Sequence, residues 1–526
     1  MPTPAIDRAF ERRLAMLVNG GGAPLLRGGL RGVEKESLRV TPDGHIATTP
    51  HPRALGSALT NGQFTTDYSE ALIELVTPTF TTNWELLQYL CDMHQFVYRH
   101  LGDERLWATS MPCRIESDES IPIAQYGPSH IGRMKSVYRE GLGIRYGRVM
   151  QAISGVHFNY SFPGKFWEPY AALRERDESS ALRSAAYFDL LRNYRRHGWL
   201  VLYLFGVSPA VCSSFLRVRG ETLPFLSKGT AYEPFATTLR MSDLGYRNRK
   251  QAGVAVSVNS LDDYVRDLTR AISTPYPPYE ALGVNVDGEW RQLNANLLQI
   301  ENEYYSNIRP KRVARSGERP TKALRRGGVE YVEVRALDVS AFDPVGVNQA
   351  KLRFLEAFLA LCLLRESPPI ESGEQEALDR NHVLVARRGR EPGLVLQRDG
   401  RPVALVDWAD ELIDGMTGLC EILDEGDTAR PYAQALALQR EKLRDVARTP
   451  SARLMHELET TGESLFDLAQ RMSSTHKAYF LELYPPNPAR LDEFQRGAEE
   501  SLARQQSIEA ADTGTFEAYL ARYFEN

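Results

Sequence analysis

Glutamate recurs in this chain at positions where a strand would ordinarily carry a neutral side chain. In residues 32–40, read as a strand, Glu34 and Glu36 point to one face, because side chains alternate along a strand. Residues 65–76 contribute Asp67 and then Glu74, the latter set between Leu72 and Val76 in a run of β-formers. In residues 156–161, His157, Asn159 and Ser161 share one face, and Val156, Phe158 and Tyr160 the other. Residues 299–305 read as a further strand that aligns Gln299, Glu301, Glu303 and Tyr305. Residues 330–335 place Glu333 and Arg335 opposite Val332 and Val334. Any one of these segments is equally well the wet side of an antiparallel sheet, and a single strand histidine is usually structural. Taken together they are not, since solvated strand faces favour Thr, Lys, Arg and Gln, and here the repeated choice is Glu.

Carboxylates gathered in one cleft repel. Two of them about 4 Å apart cost roughly 4 kcal/mol at an intermediate effective dielectric, so such a site needs protons or cations. An oxygen-rich set with one imidazole suits Mg²⁺ or Mn²⁺ better than zinc or copper. Magnesium commonly shares substrate phosphates, which points to nucleotide chemistry, and Arg335 is then placed to face a transferring phosphoryl group. A basic stretch follows at residues 308–317, with Arg309, Lys311, Arg312 and Arg315, and is a candidate polyphosphate-binding loop. The chain has no G-x-x-x-x-G-K-[ST] loop, no H-E-x-x-H and no G-x-S-x-G. Residues 141–147 have the wrong spacing for a dinucleotide fingerprint.

The elements that must position these groups are legible in outline. The 526 residues are enough for about three average domains of roughly 100–200 residues. With 43% hydrophobic and 25% charged residues, the composition is that of a folded soluble protein. A net charge of −5 gives no footprint for nucleic acid. Five scattered cysteines without a C-x-x-C pair fit a reducing cytosol. The charged, amphipathic N-terminus is unlike a signal peptide, and the most apolar helix candidate, residues 354–364, is too short to span a bilayer. A cytoplasmic protein without membrane partners is expected.

Asp-Gly pairs at 43–44, 287–288 and 399–400 predict tight hairpins and hence a mainly antiparallel sheet. Helical periodicity covers residues 84–101, 180–204, 348–364, 429–446, 465–482 and 515–524, with breaks at Pro368-Pro369 and Pro485-Pro486. The chain divides into a sheet-containing region, 1–345, and a mostly helical region, 346–526, packed on it.

Several of these segments resemble one known family. Gly-Val-Glu-Lys-Glu-Ser-Leu-Arg-Val at 32–40, Leu-Gly-Ser-Ala-Leu-Thr at 55–60 and the stretch 65–78 are similar to the proteobacterial glutamate–cysteine ligases. So are Met-Pro-Cys at 111–113, Tyr-Arg-Glu-Gly-Leu at 138–142, Ile-Ser-Gly-Val-His-Phe-Asn at 153–159 and Ser-Asp-Leu-Gly-Tyr at 242–246. Ile-Arg-Pro-Lys-Arg at 308–312 and Tyr-Val-Glu-Val-Arg at 331–335 follow in order, and Ala-Ala-Asp-Thr at 510–513 resembles the family's tail.

The resemblance implies an α+β fold related to glutamine synthetase, with a curved, mainly antiparallel sheet forming an acid-lined funnel. It implies ATP-dependent joining of the glutamate γ-carboxylate, through a γ-glutamyl phosphate, to the amine of cysteine. This is the first step of glutathione biosynthesis. Glu34, Glu36, Asp67, Glu74, His157 and Glu333 then fall on metal-ligand positions, and Arg335 on the phosphoryl contact. Arg309, Lys311 and Arg312 are the candidate ATP contacts. Tyr68, Tyr138, Tyr246 and Tyr305 fall on the cysteine pocket, with Arg240 on its carboxylate; Tyr68 departs from the family's usual Phe. The rival readings are a ligase for another amine, a metal-dependent phosphohydrolase and a catalytically inactive binding protein.

Overall fold

The acidic segments form strands of one sheet. In a computed structural model, which describes residues 8–21, 23–245, 254–315 and 317–525, seven strands make up this sheet. They are β1 (Leu30–Val40), β2 (Phe64–Thr66), β3 (Leu72–Val76), β4 (Arg105–Leu106), β5 (Gly155–Ser161), β6 (Ile308–Lys311) and β7 (Tyr331–Asp338). Their order is β6-β7-β5-β1-β3-β2, with β4 paired to the far end of β1, and every pairing is antiparallel. The sheet is open and its two longest strands, β1 and β7, flank β5.

Register does the assembling. Glu34 sits opposite His157, Glu36 opposite Glu74, and Asn159 is flanked by Gly32 and Glu333. Because side chains alternate, matching these pairs puts the polar residues of four strands on one face. The other face carries Val33, Ile73, Leu75, Val156, Phe158, Val332 and Val334, all buried in the main core. Burying each such side chain is worth roughly 1.5–3 kcal/mol, so a one-residue slip that turned this row outward would be strongly opposed.

Helices seal that apolar face. Asn83–His100, Ser180–His197 and Trp199–Phe205 pack on the strands, and Gln349–Leu364 lies against Ser180–His197 and Asn83–His100. Gln349–Leu364 is buried nearly all round, as expected for a central rather than an amphipathic helix. Its one acid, Glu356, is held by Arg31 Nη2 at 3.0 Å, Asn83 Nδ2 at 2.6 Å and Tyr432 Oη at 2.8 Å. No helix among the described residues is long and apolar enough to cross a membrane.

Lys35 also lies on the apolar side of β1. It is 3% exposed, and its ammonium donates to Ser37 Oγ. Burial lowers its pKa from the ordinary 10.5 to about 7. Between those values the unfolded chain holds a proton that the folded chain has lost, so this group makes stability rise with pH. Lys35→Met is expected to reduce that slope by up to about 1.4 kcal/mol per pH unit between pH 7 and 10. Urea unfolding at several pH values measures it, and an unchanged slope would show that Lys35 titrates normally.

Several expectations are corrected. Two of the Asp-Gly hairpins form, at Asn285–Val286/Glu289–Trp290 and Val395–Arg398/Arg401–Ala404, but as separate two-stranded ribbons rather than parts of the main sheet. At Asp43-Gly44 only an isolated Val40–Ile46 bridge forms. The helical run 180–204 breaks at Gly198 into two helices, and 465–482 ends in a π-turn, Tyr479–Leu483. The last third is mostly helical as expected, and it includes the 24-residue helix Pro488–Ala511, which periodicity alone does not single out. Cys113 and Cys212, 99 residues apart, meet in a disulfide, while Cys91, Cys362 and Cys420 are free. A pair joined only by tertiary folding leaves no spacing signal.

Candidate active site

The shared polar face brings four carboxyl groups around one imidazole. His157 Nδ1 is 3.2 Å from Glu34 Oε2 and 3.7 Å from Glu333 Oε1, and its Nε2 is 3.5 Å from Glu36 Oε1. Ligand atoms of Glu34, Glu74 and His157 lie within 4.8 Å of one another. Asp67, on the turn between β2 and β3, is near enough for its charge to act on Glu36, Glu74 and Arg335.

Cations border the group on the β6–β7 side. Arg335 Nη1 donates to Glu333 Oε1 at 3.0 Å, and Lys311 Nζ is 3.4 Å from Glu333 Oε2. Arg309 stands opposite Glu333 in the register and donates to the carbonyls of Asn302 and Tyr304. Between Val334 and Leu337 the β7–β5 register shifts at a bulge. Such bulges re-aim side chains, and this one carries Arg335, whose Nη1 comes 3.5 Å from His157 Nδ1.

The electrostatics split the carboxyl groups. Burial pushes Glu74 well above the usual range, and the charges of Glu34, Asp67 and Glu36 add to the shift. Burial also raises Glu36, against the pull of His157, Arg240 and Arg335. Burial opposes ionisation of Glu333, yet Lys311, Arg335 and His157 hold it well below the usual range. In Glu34, burial and the Glu333 charge are outweighed by the His157 hydrogen bond and by Lys311. The face therefore holds more carboxyl groups than its own cations can neutralise. Oxygen donors with one imidazole, and a buried Glu333 Oε2 that meets only the Lys311 ammonium, fit a hard divalent cation.

A second group lies along the same edge. Arg240 is buried on the 3₁₀ turn Leu239–Met241, where its Nη2 donates to Arg335 O at 3.2 Å and its Nη1 to Met241 Sδ at 3.0 Å. Tyr305 Oη is 3.7 Å from the same sulfur. Asp338 positions the turn by accepting from Val207 N, Ser208 Oγ and Thr238 Oγ1 at 2.7–2.9 Å. Tyr138 lies on the helix His130–Tyr146, whose Arg139 donates to Asp67 O at 2.5 Å. Tyr68 is buried with its hydroxyl against Gly143 of that helix rather than among the carboxyl groups. Tyr246 lies outside the described residues.

Three residues singled out in the sequence, Glu301, Glu303 and Arg312, are not brought to the face. Residues 299–305 form no strand: Glu301–Glu303 is a 3₁₀ turn. Glu303 accepts from Arg145 Nη1 at 3.0 Å, Tyr146 Oη at 2.7 Å and Gln299 N at 2.6 Å, while Glu301 Oε1 accepts from Arg319 and from Thr321 Oγ1. These acids serve packing, through partners distant in sequence. Arg312 turns to the carbonyls of Gly327 and Gly328, capping the helix Pro320–Gly327.

Two participants escape a reading of acids alone. Asn159 Nδ2 donates to Glu34 Oε1 at 2.9 Å, and Gly155 N donates to Glu36 Oε2 at 2.6 Å, so each carboxyl is oriented by β5. Gly155 also gives Arg240 room, since a Cβ there would stand 1.9 Å from its Nη2. The invitation to look was the polar alternation of β5 itself.

An antiparallel sheet with one acid-and-imidazole face, edged by guanidinium and ammonium groups, has the donors to hold a divalent cation beside a phosphate. A family model for glutamate–cysteine ligase matches residues 14–385. The chain is 48% identical over 525 residues to a glutamate–cysteine ligase of Alcanivorax borkumensis, covering 98% of this chain and 99% of that one. It is 48% identical over 522 residues to one of Pseudomonas putida, covering 98% of each. The chain belongs to the glutamate–cysteine ligase family. Among solved structures, glutamate–cysteine ligase from Francisella tularensis in complex with AMP superposes with a TM-score of 0.89 at 35% identity, over 95% of this chain and 98% of that chain. A bifunctional glutathione synthetase from Pasteurella multocida shares the fold, with a TM-score of 0.72 at 23% identity over 92% of this chain and 58% of that chain.

Proposed function

We propose that this enzyme joins the γ-carboxylate of glutamate to the amine of cysteine, through a γ-glutamyl phosphate and with conversion of ATP to ADP and phosphate, the first step of glutathione biosynthesis. One observation carries the reading: a family member presents Glu34, Glu36, Glu74, His157 and Glu333 on one sheet face, with Arg335 and Lys311 at its edge.

A free carboxylate is a poor electrophile, so the γ-carboxylate must first become an acyl phosphate. Arg335 supplies a fixed positive charge where the transferring phosphoryl group develops its own. Lys311 and Arg309 flank the same place and bind the polyphosphate. Glu34, Glu74 and His157, with Glu36, Asp67 and Glu333 around them, would hold Mg²⁺ or Mn²⁺. Bound there, such a cation would neutralise phosphate charge and would make the ionised carboxyl groups compatible. On the neighbouring edge, Arg240 pairs with the cysteine carboxylate, and Tyr138 and Tyr305 line the pocket, with Tyr68 and Tyr246 as further members. A closed site would keep water from the activated acyl group. The helical region 346–526 acts as a buttress for this sheet. The cytoplasm, where ATP is abundant, is the place for this reaction.

The test is ADP release with ATP and Mg²⁺, in the presence of glutamate plus cysteine, each alone, and neither. Turnover is expected only with both, a γ-linked dipeptide appears by mass spectrometry, and chelation of the metal stops both signals. ADP release indifferent to the amino acids would instead assign a phosphohydrolase, and turnover without need of cysteine would assign another amine.

A further inference from the structure

The tail motif Ala-Ala-Asp-Thr at 510–513 meets the helix that carries Tyr138. Asp512 Oδ2 accepts from His130 N, the first amide of the helix His130–Tyr146, beside the Ser129 cap. A carboxylate at that end also faces the positive pole of the helix dipole. The helix that follows, Phe516–Glu525, packs on the same helix. Its Phe516 and Leu520 are buried with Met134, Val137, Leu293 and Ile300 in a cluster separate from the main core. The Phe516 ring meets Trp290 edge-on at 5.2 Å, and the Arg133 guanidinium covers it at 4.5 Å.

Tyr138 packs against this cluster and also against another, which contains Tyr68 and Leu142. Its backbone is tied to the segment that leads to Tyr305, since Gln299 Nε2 donates to Tyr138 O at 3.1 Å. Gln299 lies so close to Gly141 that a Cβ there would overlap its carboxamide. Ile300, the next residue, belongs to the cluster that the tail completes. At the far end of the tail helix, Phe524 O accepts from Arg319 Nη1 at 3.4 Å, and Arg319 in turn holds Glu301. The tail therefore braces both the helix of Tyr138 and the 299–305 segment. The strands that carry Glu34, Glu74, His157 and Arg335 are backed by the main core instead.

We propose that Asp512 and Phe516 are positioning residues for the amine substrate: by capping and packing the helix His130–Tyr146 they hold Tyr138 at the cysteine pocket. The inference rests on the reading of Tyr138 as part of that pocket.

Steady-state kinetics on the full chain test it. Phe516→Ala is expected to raise KM for cysteine roughly tenfold, because misplacing a positioning group by about 1 Å is already costly, and to leave KM for ATP within about twofold. Phe516→Leu refills most of the apolar space and is expected to recover most of the loss. Asp512→Ala is expected to raise KM for cysteine about fivefold, the worth of one capping hydrogen bond, and Asp512→Asn to return it to within about twofold. In a Tyr138→Leu background Phe516→Ala adds little, because the effect passes through Tyr138. An unchanged cysteine KM in either folded variant, an equal rise for ATP, no recovery in Phe516→Leu or Asp512→Asn, or an undiminished effect in the Tyr138→Leu background overturns the proposal. Should Phe516→Ala not fold, Asp512→Ala, at a half-buried position, decides by the same readout. Tyr138→Leu alone separates the two layers. No change there removes Tyr138 from the pocket, whereas a rise there without one in the tail variants keeps the pocket and removes the role of the tail.

Discussion

Arg335→Ala is expected to lower kcat for ligation by about 10²–10³-fold while leaving the fold intact, the usual effect of deleting one preorganised charge that faces a transition state. Burial works against the charge of this guanidinium, but Glu333, Glu36, Glu34 and Asp67 surround it and raise its pKa, so it stays positive at any working pH. Its charge is therefore available without reorganisation when a phosphoryl group arrives. The fold survives because Arg335 is 23% exposed and Glu333 keeps Lys311 at 3.4 Å. Arg335→Lys is the informative companion, since it retains the charge but loses the planar fork; partial recovery of kcat is expected. A folded Arg335→Ala enzyme with near-normal kcat would remove the phosphoryl role, and circular dichroism with urea unfolding establishes that the variant is folded.

Glu303→Ala is expected to have the largest effect on stability. Glu303 and Arg145 are both 0% exposed and 3.0 Å apart. Removing one partner of a buried pair leaves the other charge stranded, which costs about 3–5 kcal/mol. Tyr146 Oη and Gln299 N also lose their acceptor. The variant should unfold at distinctly lower urea concentration or fail to accumulate. Glu333→Gln, by contrast, should retain most stability and lose activity, because its carboxyl group faces the site rather than the core. Unaltered stability in Glu303→Ala together with a lost response to Mg²⁺ would place Glu303 at the metal site and remove the distinction drawn between these two glutamates.

That distinction marks where the sequence stops. Both glutamates sit in acidic, alternating segments, and nothing local separates them. Glu333 belongs to β7, whose apolar alternates Val332 and Val334 bury against the helices. Glu303 belongs to a turn, because Arg145 on a helix far away in sequence captures it. Arg309, Lys311 and Arg312 divide likewise: the first two alternate along β6, and the third leaves the strand to cap a helix. The hairpin signals at Asp287 and Asp399 named real turns, but turn chemistry is local and does not say which sheet the strands join.

The sequence by itself determined the antiparallel character of the sheet, the helical nature of the last third, and which side chains of each site strand share a face. It did so because strand alternation has a period of two and the apolar half must be buried. The motifs it carries also point to the family. Only the tertiary structure decided the rest. Register sets Glu34 against His157 and Glu36 against Glu74, and a bulge turns Arg335 back toward them. Packing of the helix Phe516–Glu525 brings Phe516 to the helix that bears Tyr138. These contacts join residues that are far apart in the chain, and their geometry depends on how whole elements pack rather than on any local preference.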